Sequence, residues 1–562
     1  MATSLPTYTG DTSSLVSLTG NALTDALIVG SKWGTGAAGT GANLTFSFPA
    51  SLAVFDAAPN VPGNYNAEET TQSGFANYLK GFSAFSTDAQ SGAREVLQTW
   101  ANVANLRFTE VAADSTDAGV LRFANSAPPG MGATTYGVSS FPQDFAGAGD
   151  TWMNSGFTFP EGWAAGTQNF LTLLHEVGHA LGLKHPHDAG MGGSAGWPAN
   201  GIVLPFTGTD TLKTESTQSM VMAYNDIPAL AEVGGLSLQS DFAPTTPMRY
   251  DIAAIQYLYG PNMSYNAGDT VYTFDGTGRY NQTIWDGGGK DTIVATGTRE
   301  VIINLQSATW SALGAPVTFS TRNADLSVAS VQTQLNDPAT VFIYDTVTIE
   351  NATGAAGNDI LSGNAVANRL QGGAGNDRLA GLAGIDTAVY SGTRSEYTLA
   401  VGSSASASTT VTDNRTTGSS DGTDTVQTVE RFTFADVNVA IDIDGNGGKA
   451  ARLLGTVFGA SAVSNKQFVG IALSLLDGGM DYGQLASAAM GLMGKTSNAD
   501  VVALLWTNLF GSAPTSEQSV SVVAAMDNGL TVGALTVLVA ESSFMADRIN
   551  LVGLSQTGIE FI

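Results

Sequence analysis

The sequence predicts a multidomain protein with three parts in chain order: an α/β domain, a parallel β-roll of nonapeptides and a small all-α C-terminal domain. Three observations carry this. Strand-like and helix-like stretches alternate from about Phe46 to Gly260; a nine-residue period then runs through 354–389; from Asp442 the apolar residues recur at helical spacing. A chain of 562 residues exceeds what one core supports, and 67 glycines require a turn-dense or repetitive part.

Residues 1–25 are polar and read as an N-terminal segment, a candidate propeptide. The α/β domain is placed at 26–262. Within it, QSGAREVLQTWANVA (90–104) has helical spacing and runs into the strand-like LRFTEV (106–111). VLRFANS (120–126) and DTWMN (150–154) are further strands. NFLTLLHEVGHALGL (169–183) keeps apolar residues at 170, 173, 174, 177, 180, 181 and 183, a helical stripe. DIAAIQYLYG (251–260) is another helix, stopped by Gly260 and Pro261.

The β-roll is placed at 263–395. GAAGNDILS (354–362), GNAVANRLQ (363–371), GGAGNDRLA (372–380) and GLAGIDTAV (381–389) are four units in register, each fitting G-x-x-x-x-[D/N]-x-[aliphatic]-x. WDGGGKDTI (285–293) is an outlying relative. A Thr/Ser-rich, strand-like extension fills 396–441, and 442–562 is the helical domain, its segments separated by Gly or by Ser, Asn and Asp caps. DIDGNGG begins like a calcium loop with Asp442, Asp444 and Asn446, but position 12 is Leu453, so it reads as a turn and helix start.

Lys and Arg total 22 against 49 Asp and Glu, a formal charge of −27. That balance argues against nucleic acid or an anionic membrane as partner and favours hard cations, Ca²⁺ above all. There is no cysteine, which excludes thiol nucleophiles, Cys-zinc sites and disulfides. The N-terminus lacks the basic and apolar regions of a signal peptide, and no segment approaches a membrane span. The chain is therefore expected to be soluble and, if exported, to leave without an N-terminal signal.

All four histidines fall in HEVGHALGLKHPH (175–187). His175 and His179, four apart on a helix, share one face and can share a metal. Glu176 can reach a water on that metal. Gly182 can adopt the left-handed conformation that ends the helix and turns the chain, so that His185 returns as a third ligand. Three imidazoles with an open fourth position describe a catalytic Zn²⁺ site, with Glu176 as general base. His187 is expected to be a non-ligand on the cleft rim. Arg122 and Asn154 are candidate backbone or supporting contacts for a peptide lying beside VLRFANS.

The extended pattern His175, Glu176, His179, Gly182, His185 is the metzincin signature. SMVMAYND (219–226) follows, and Met222-Ala223-Tyr224 resembles the M-x-Y Met-turn of the serralysins, calcium-dependent secreted zinc proteases of bacteria. PMRYDIAAIQYLYG (247–260) resembles the helix that closes their catalytic domain, and the likeness covers roughly 20–390. It implies Met222 beneath the metal, with Met220 as the competing candidate. It also implies Tyr224 as an additional zinc ligand that swings away to stabilise the oxyanion.

In a β-roll two nonapeptides make one turn, so units 18 residues apart stack. Asp359 and Asp377 should flank one column of Ca²⁺ ions, helped by the turn glycines Gly354, Gly357, Gly372 and Gly375. Asn368 and Asp386 should flank the other, more weakly, because Asn368 is neutral and Val366 replaces a glycine. Leu361, Leu370 and Leu379 should fill the interior. Asp286 and Asp291 look like the family's calcium loop.

The resemblance implies a secreted, calcium-stabilised zinc endopeptidase acting on proteins or peptides. It would leave unfolded through type I secretion machinery, with a C-terminal signal compatible with the ending GIEFI. The alternative is a calcium-dependent cell-surface or adhesin-like protein whose helical domain binds a surface component.

Overall fold

The computed structural model describes residues 12–55, 75–113, 118–132, 135–143, 147–186, 188, 216–224, 238–316, 318–322, 328–332, 339–402, 408–416 and 420–562. The chain forms two units: 1–270 with 277–289 and 307–348, and 271–276 with 290–306 and 349–562.

In the first unit the central sheet runs Leu106–Glu110, Ala42–Ser47, Leu121–Ser126, Thr151–Asn154, Gly137–Ser139. The first four strands are parallel; Gly137–Ser139 is antiparallel and ends the sheet. Two long helices pack beside it. Thr87–Val103 is capped by Ser86 and buries Ala93, Val96, Leu97 and Trp100, the one-sided stripe its sequence period predicts. Gln168–Ala180 is capped by Thr167, whose hydroxyl accepts from the Phe170 amide.

Residues 12–25, the described part of the candidate propeptide, are built into this unit. Ser13–Leu15 pairs antiparallel with Ser31–Trp33, and Asp25 is buried, accepting from the Thr19 and Gly20 amides. Residues 307–348 also belong here, which corrects their placement in the roll. Phe319–Arg322 pairs antiparallel with Val328–Gln332 and Leu238–Ser240, and Trp310–Ser311 with Val341–Ile343. Val341–Ile343 also pairs in parallel with Gln282–Ile284.

Arg122 and Asn154 are corrected as well. The Arg122 guanidinium is buried and bidentate on Asp150, at 2.6 and 2.7 Å, and lies over the Phe55 ring. Asn154 spends its amide on Gly132 O and Thr135 O and accepts from Gly156 N. Both side chains hold sheet and loop together instead of facing a ligand. Asp150→Asn should leave a buried guanidinium half-partnered and destabilise the unit by about 3–5 kcal/mol, read as the shift in the denaturation midpoint.

The second unit is a roll of stacked parallel strands. One face runs Val271–Asp275, Thr292–Thr296, Asn351–Thr353, Arg369–Gln371, Thr387–Val389, Arg431–Thr433 in parallel, then Asn438–Ala440 and Ile559–Phe561 antiparallel. The other runs Ile302–Asn304, Ile360–Ser362, Arg378–Ala380, Thr423–Gln427 in parallel. Leu361, Leu370 and Leu379 point inward and are buried with Ile293, Ile303, Ala388, Val426 and Phe432. The expected extension at 396–441 therefore contributes a further turn of the roll. Its period is broken by the hairpin Tyr397–Ala400/Thr409–Asp413, which hides the continuation in the sequence.

The helical domain packs around Ala450, Leu453, Leu454, Val457, Leu473, Leu485, Ala486, Val502, Leu505 and Met545. Asp442 ion-pairs with Arg431 and accepts from the Gly447 amide, and the helix Asn446–Phe458 starts there, as a turn and helix start should. The terminal GIEFI contributes the edge strand Ile559–Phe561. Among the described residues no helix is long and apolar enough to cross a membrane.

Candidate metal centre and calcium columns

The Gln168–Ala180 helix ends in a Schellman turn: Leu183 N donates to Gly178 O and Gly182 N to His179 O. Gly182 sits at φ +106°, and a Cβ there would come within 2.4 Å of Ser31 O. The last helical carbonyls are taken up from afar, Ala180 O by Trp33 Nε1 at 2.7 Å and Leu181 O by Tyr259 Oη at 2.9 Å. The turn reverses the chain and brings His185 back over the helix.

The three Nε2 atoms meet. His185 Nε2 lies 3.0 Å from that of His175 and 3.0 Å from that of His179. Each Nδ1 faces an acceptor: Val221 O for His175 and Leu183 O for His179, both at 2.8 Å, and Asp188 Oδ2 for His185 at 2.9 Å. Carbonyls and carboxylates only accept, so in the neutral rings each Nδ1 carries the proton and each Nε2 presents a lone pair. Three converging lone pairs repel one another unless a cation lies between them, and imidazole nitrogens suit Zn²⁺. Burial, and then the neighbouring His175 and His185, push His179 well below the usual histidine range, which keeps it in the ligand form. Among the described residues His175, His179 and His185 form the one group of three or more His, Asp or Glu side chains whose ligand atoms all lie within 4.8 Å of one another. This donor set fits the zinc that its spacing predicts.

Glu176 is buried beside them. Burial raises its carboxyl to about 8, opposed by a hydrogen bond from the Ser139 side chain. Its Oε2 has no protein partner. Gly137, on the edge strand, leaves the space it occupies: a Cβ there would come within 2.7 Å of Glu176 Cγ.

Met222 is fully buried under the helix, and a Cβ on Gly178, between the two helical histidines, would lie 2.5 Å from its Sδ. That contact distinguishes Met222 from Met220. The Tyr224 ring is 65% exposed and lies 4.3 Å from the His185 ring and 5.8 Å from that of His175. Its hydroxyl is pushed up to about 12, first by loss of solvent and then by the Glu176 and Asp188 carboxylates, so it stays a neutral donor. His187 lies outside the described residues.

Spacing did not reveal three supporting residues. Asp188 backs His185. Asp251 Oδ2 accepts from Val221 N at 2.6 Å and Met248 N at 2.9 Å, fixing the turn whose Val221 carbonyl holds His175. Gly137 makes room for Glu176. Asp251 and Gly137 act across the fold, so no local pattern marks them; Asp188, three residues after His185, is a local partner of a candidate ligand.

In the roll, the residues 18 apart stack on one another. Asp359 N donates to Asp377 Oδ1 at 2.8 Å, and Asn368 N to Asp386 Oδ1 at 2.7 Å. Both columns run past the repeats: Asp377 N donates to Asp424 Oδ1 and Asp386 N to Glu430 Oε2. The signal was present in Gly422-Thr423-Asp424-Thr425-Val426, which matches the end of a nonapeptide out of period. Asp377 Oδ2 and Asp386 Oδ2 are buried without a protein partner, as a cation ligand would be. A Cβ on Gly354 or Gly372 would meet Asp359 Oδ2 or Asp377 Oδ2 at 2.5 and 2.1 Å, and one on Gly357 or Gly375 would strike the backbone of the adjacent turn. Asp286 and Asp291 fall in different units, and Asp286 Oδ1 caps its own turn at Gly288 N.

Comparison with known proteins finds matches over both regions. The matrixin family matches residues 76–191, and the RTX calcium-binding nonapeptide repeat matches 353–388 in four copies. The chain is 33% identical over 315 residues to the metalloprotease AprA of Pseudomonas entomophila, covering 52% of this chain and 57% of that one. It is 32% identical over 309 residues to the metallopeptidase AprA of Pseudomonas marginalis (52% and 57%) and 30% identical over 360 residues to the serralysin of Proteus mirabilis (59% and 61%). The chain thus spans somewhat over half the length of these relatives. A matrixin segment and RTX repeats bring a catalytic Zn²⁺ and structural Ca²⁺. Joined in one chain, these matches make it similar to the serralysin-type metzincins.

Proposed function

We propose that the chain is a secreted, calcium-stabilised zinc endopeptidase. The observation that carries this reading is the convergence of three imidazole lone pairs beside a buried Glu176 whose Oε2 has no protein partner. His175, His179 and His185 would hold the zinc, which when bound supplies Lewis acidity and acidifies water at the open position. Glu176, with its affinity for protons raised by burial, takes the proton of the attacking water and delivers it to the leaving amine. The edge strand Gly137–Ser139 ends its sheet next to Glu176, so an extended peptide can add to it through main-chain hydrogen bonds and be presented to the base. Tyr224, exposed and protonated, donates to the developing oxyanion.

Two measurements test this. Casein hydrolysis should disappear on o-phenanthroline treatment with Ca²⁺ retained and return with Zn²⁺; activity that survives zinc removal would sink the reading. Tyr224→Phe should lower kcat by about 10²–10³-fold with KM little changed, the signature of a lost oxyanion donor. The acidic columns couple folding of the roll to Ca²⁺, which suits passage through type I secretion machinery unfolded and folding outside.

A further inference from the structure

We propose that Lys184 is a positioning residue for the third histidine, and that through it the segment Ala26–Val29 braces the metal centre. The inference rests on the reading of His185 as a zinc ligand. Lys184 is buried, at 2% exposure. Its ammonium donates to three backbone carbonyls: Ala26 O at 2.5 Å, Asp188 O at 3.1 Å and His185 O at 3.2 Å. That uses all three of its donors, which is the condition for keeping a lysine head group out of water.

The arrangement is specific in what it ties together. His185 O and Asp188 O are the two ends of one short turn, itself closed by Asp188 N on His185 O at 3.2 Å. The same turn carries the Asp188 carboxylate behind His185 Nδ1. Lys184 thus fixes the backbone from which both the ligand and its carboxylate partner project. The third acceptor, Ala26 O, belongs to a segment that also holds the approach to the turn: Val29 N donates to Gly182 O and Lys184 N to Leu27 O. His175 and His179 are oriented by a helix; His185 stands on an irregular turn, and this clip supplies the rigidity that a helix gives the other two.

Lys184→Met keeps the aliphatic stem and removes the donors. With Ca²⁺ saturating, its zinc dissociation constant, measured in the full chain by competition with a chromophoric chelator, should rise about 10–100-fold. Excess Zn²⁺ should restore kcat with KM unchanged. A dissociation constant equal to that of the unaltered chain overturns the inference while leaving the centre intact, whereas His185→Ala binding zinc as tightly as the unaltered chain overturns both. Should Lys184→Met fail to fold, the unaltered protein answers: reductive methylation mapped by mass spectrometry should label Lys184 about tenfold more slowly with zinc bound than without. Equal labelling overturns the proposal.

Discussion

Glu176→Gln should lower kcat/KM by about 10²–10⁴-fold, the range for a lost general base, while zinc content stays at that of the unaltered chain. The amide matches the carboxylate in size, so the contact with Gly137 and the burial are retained and only proton transfer is removed. Hydrolysis of an internally quenched peptide measures the rate and metal analysis the zinc; a variant that cleaves at the original rate would remove Glu176 from the mechanism. The same substitution has a second readout in the metal-free protein. The folded-state carboxyl titrates near 8, above its unfolded value, so its contribution to stability is present at low pH and is lost as pH rises through about 8. Glutamine does not titrate. The variant should therefore gain in thermal midpoint relative to the unaltered metal-free chain as pH rises from about 4.5 to about 8.

Calcium withdrawal should have the largest structural effect, and it should depend on pH. Burial raises Asp359 and Asp377 to about 6, Asp386 to about 7 and Asp424 to about 8 in the ion-free roll. These folded-state values exceed the unfolded value of about 4. Protonated columns therefore stabilise the ion-free roll in acid, and that stability is lost as pH rises through about 6–8. At about pH 7.5, dialysis into calcium-free buffer containing Zn²⁺ should remove the roll's share of the β signal in circular dichroism, and added Ca²⁺ should restore it. At about pH 5 the loss should be smaller, and Ca²⁺ should bind at least about tenfold more weakly for each proton it must displace. Calorimetric titration at both pH values measures this, and an affinity that does not change between them would remove these carboxylates from the sites.

Much of the candidate site was legible because it is local. His175 and His179 share a face through the helical repeat, and Gly182 ends that helix in a conformation glycine adopts readily, so thirteen consecutive residues specify most of the centre. The four nonapeptides were legible for the same reason, since each repeats one short turn.

What the sequence did not disclose lies between distant residues. Arg122 and Asn154 are candidates for peptide contacts by sequence, yet Asp150, 28 positions on from Arg122, claims the guanidinium, and the loop carbonyls of Gly132 and Thr135 claim the amide. Residues 307–348 fall within the expected roll by their place in the chain, but Phe319–Arg322 pairs with Leu238–Ser240 and Val341–Ile343 with Gln282–Ile284, both in the other unit. The turn containing Asp424 is out of period because a hairpin separates it from its repeat.

By itself, then, the sequence determined the helix and turn that gather three histidines, and the repeating roll, because each depends on residues a few positions apart. Only the tertiary structure decided which nitrogen of each histidine is free, what makes room for Glu176 and what steadies His185. Those depend on Val221, Gly137 and Ala26, whose distance along the chain carries no periodic mark and whose contact exists only once the chain has folded.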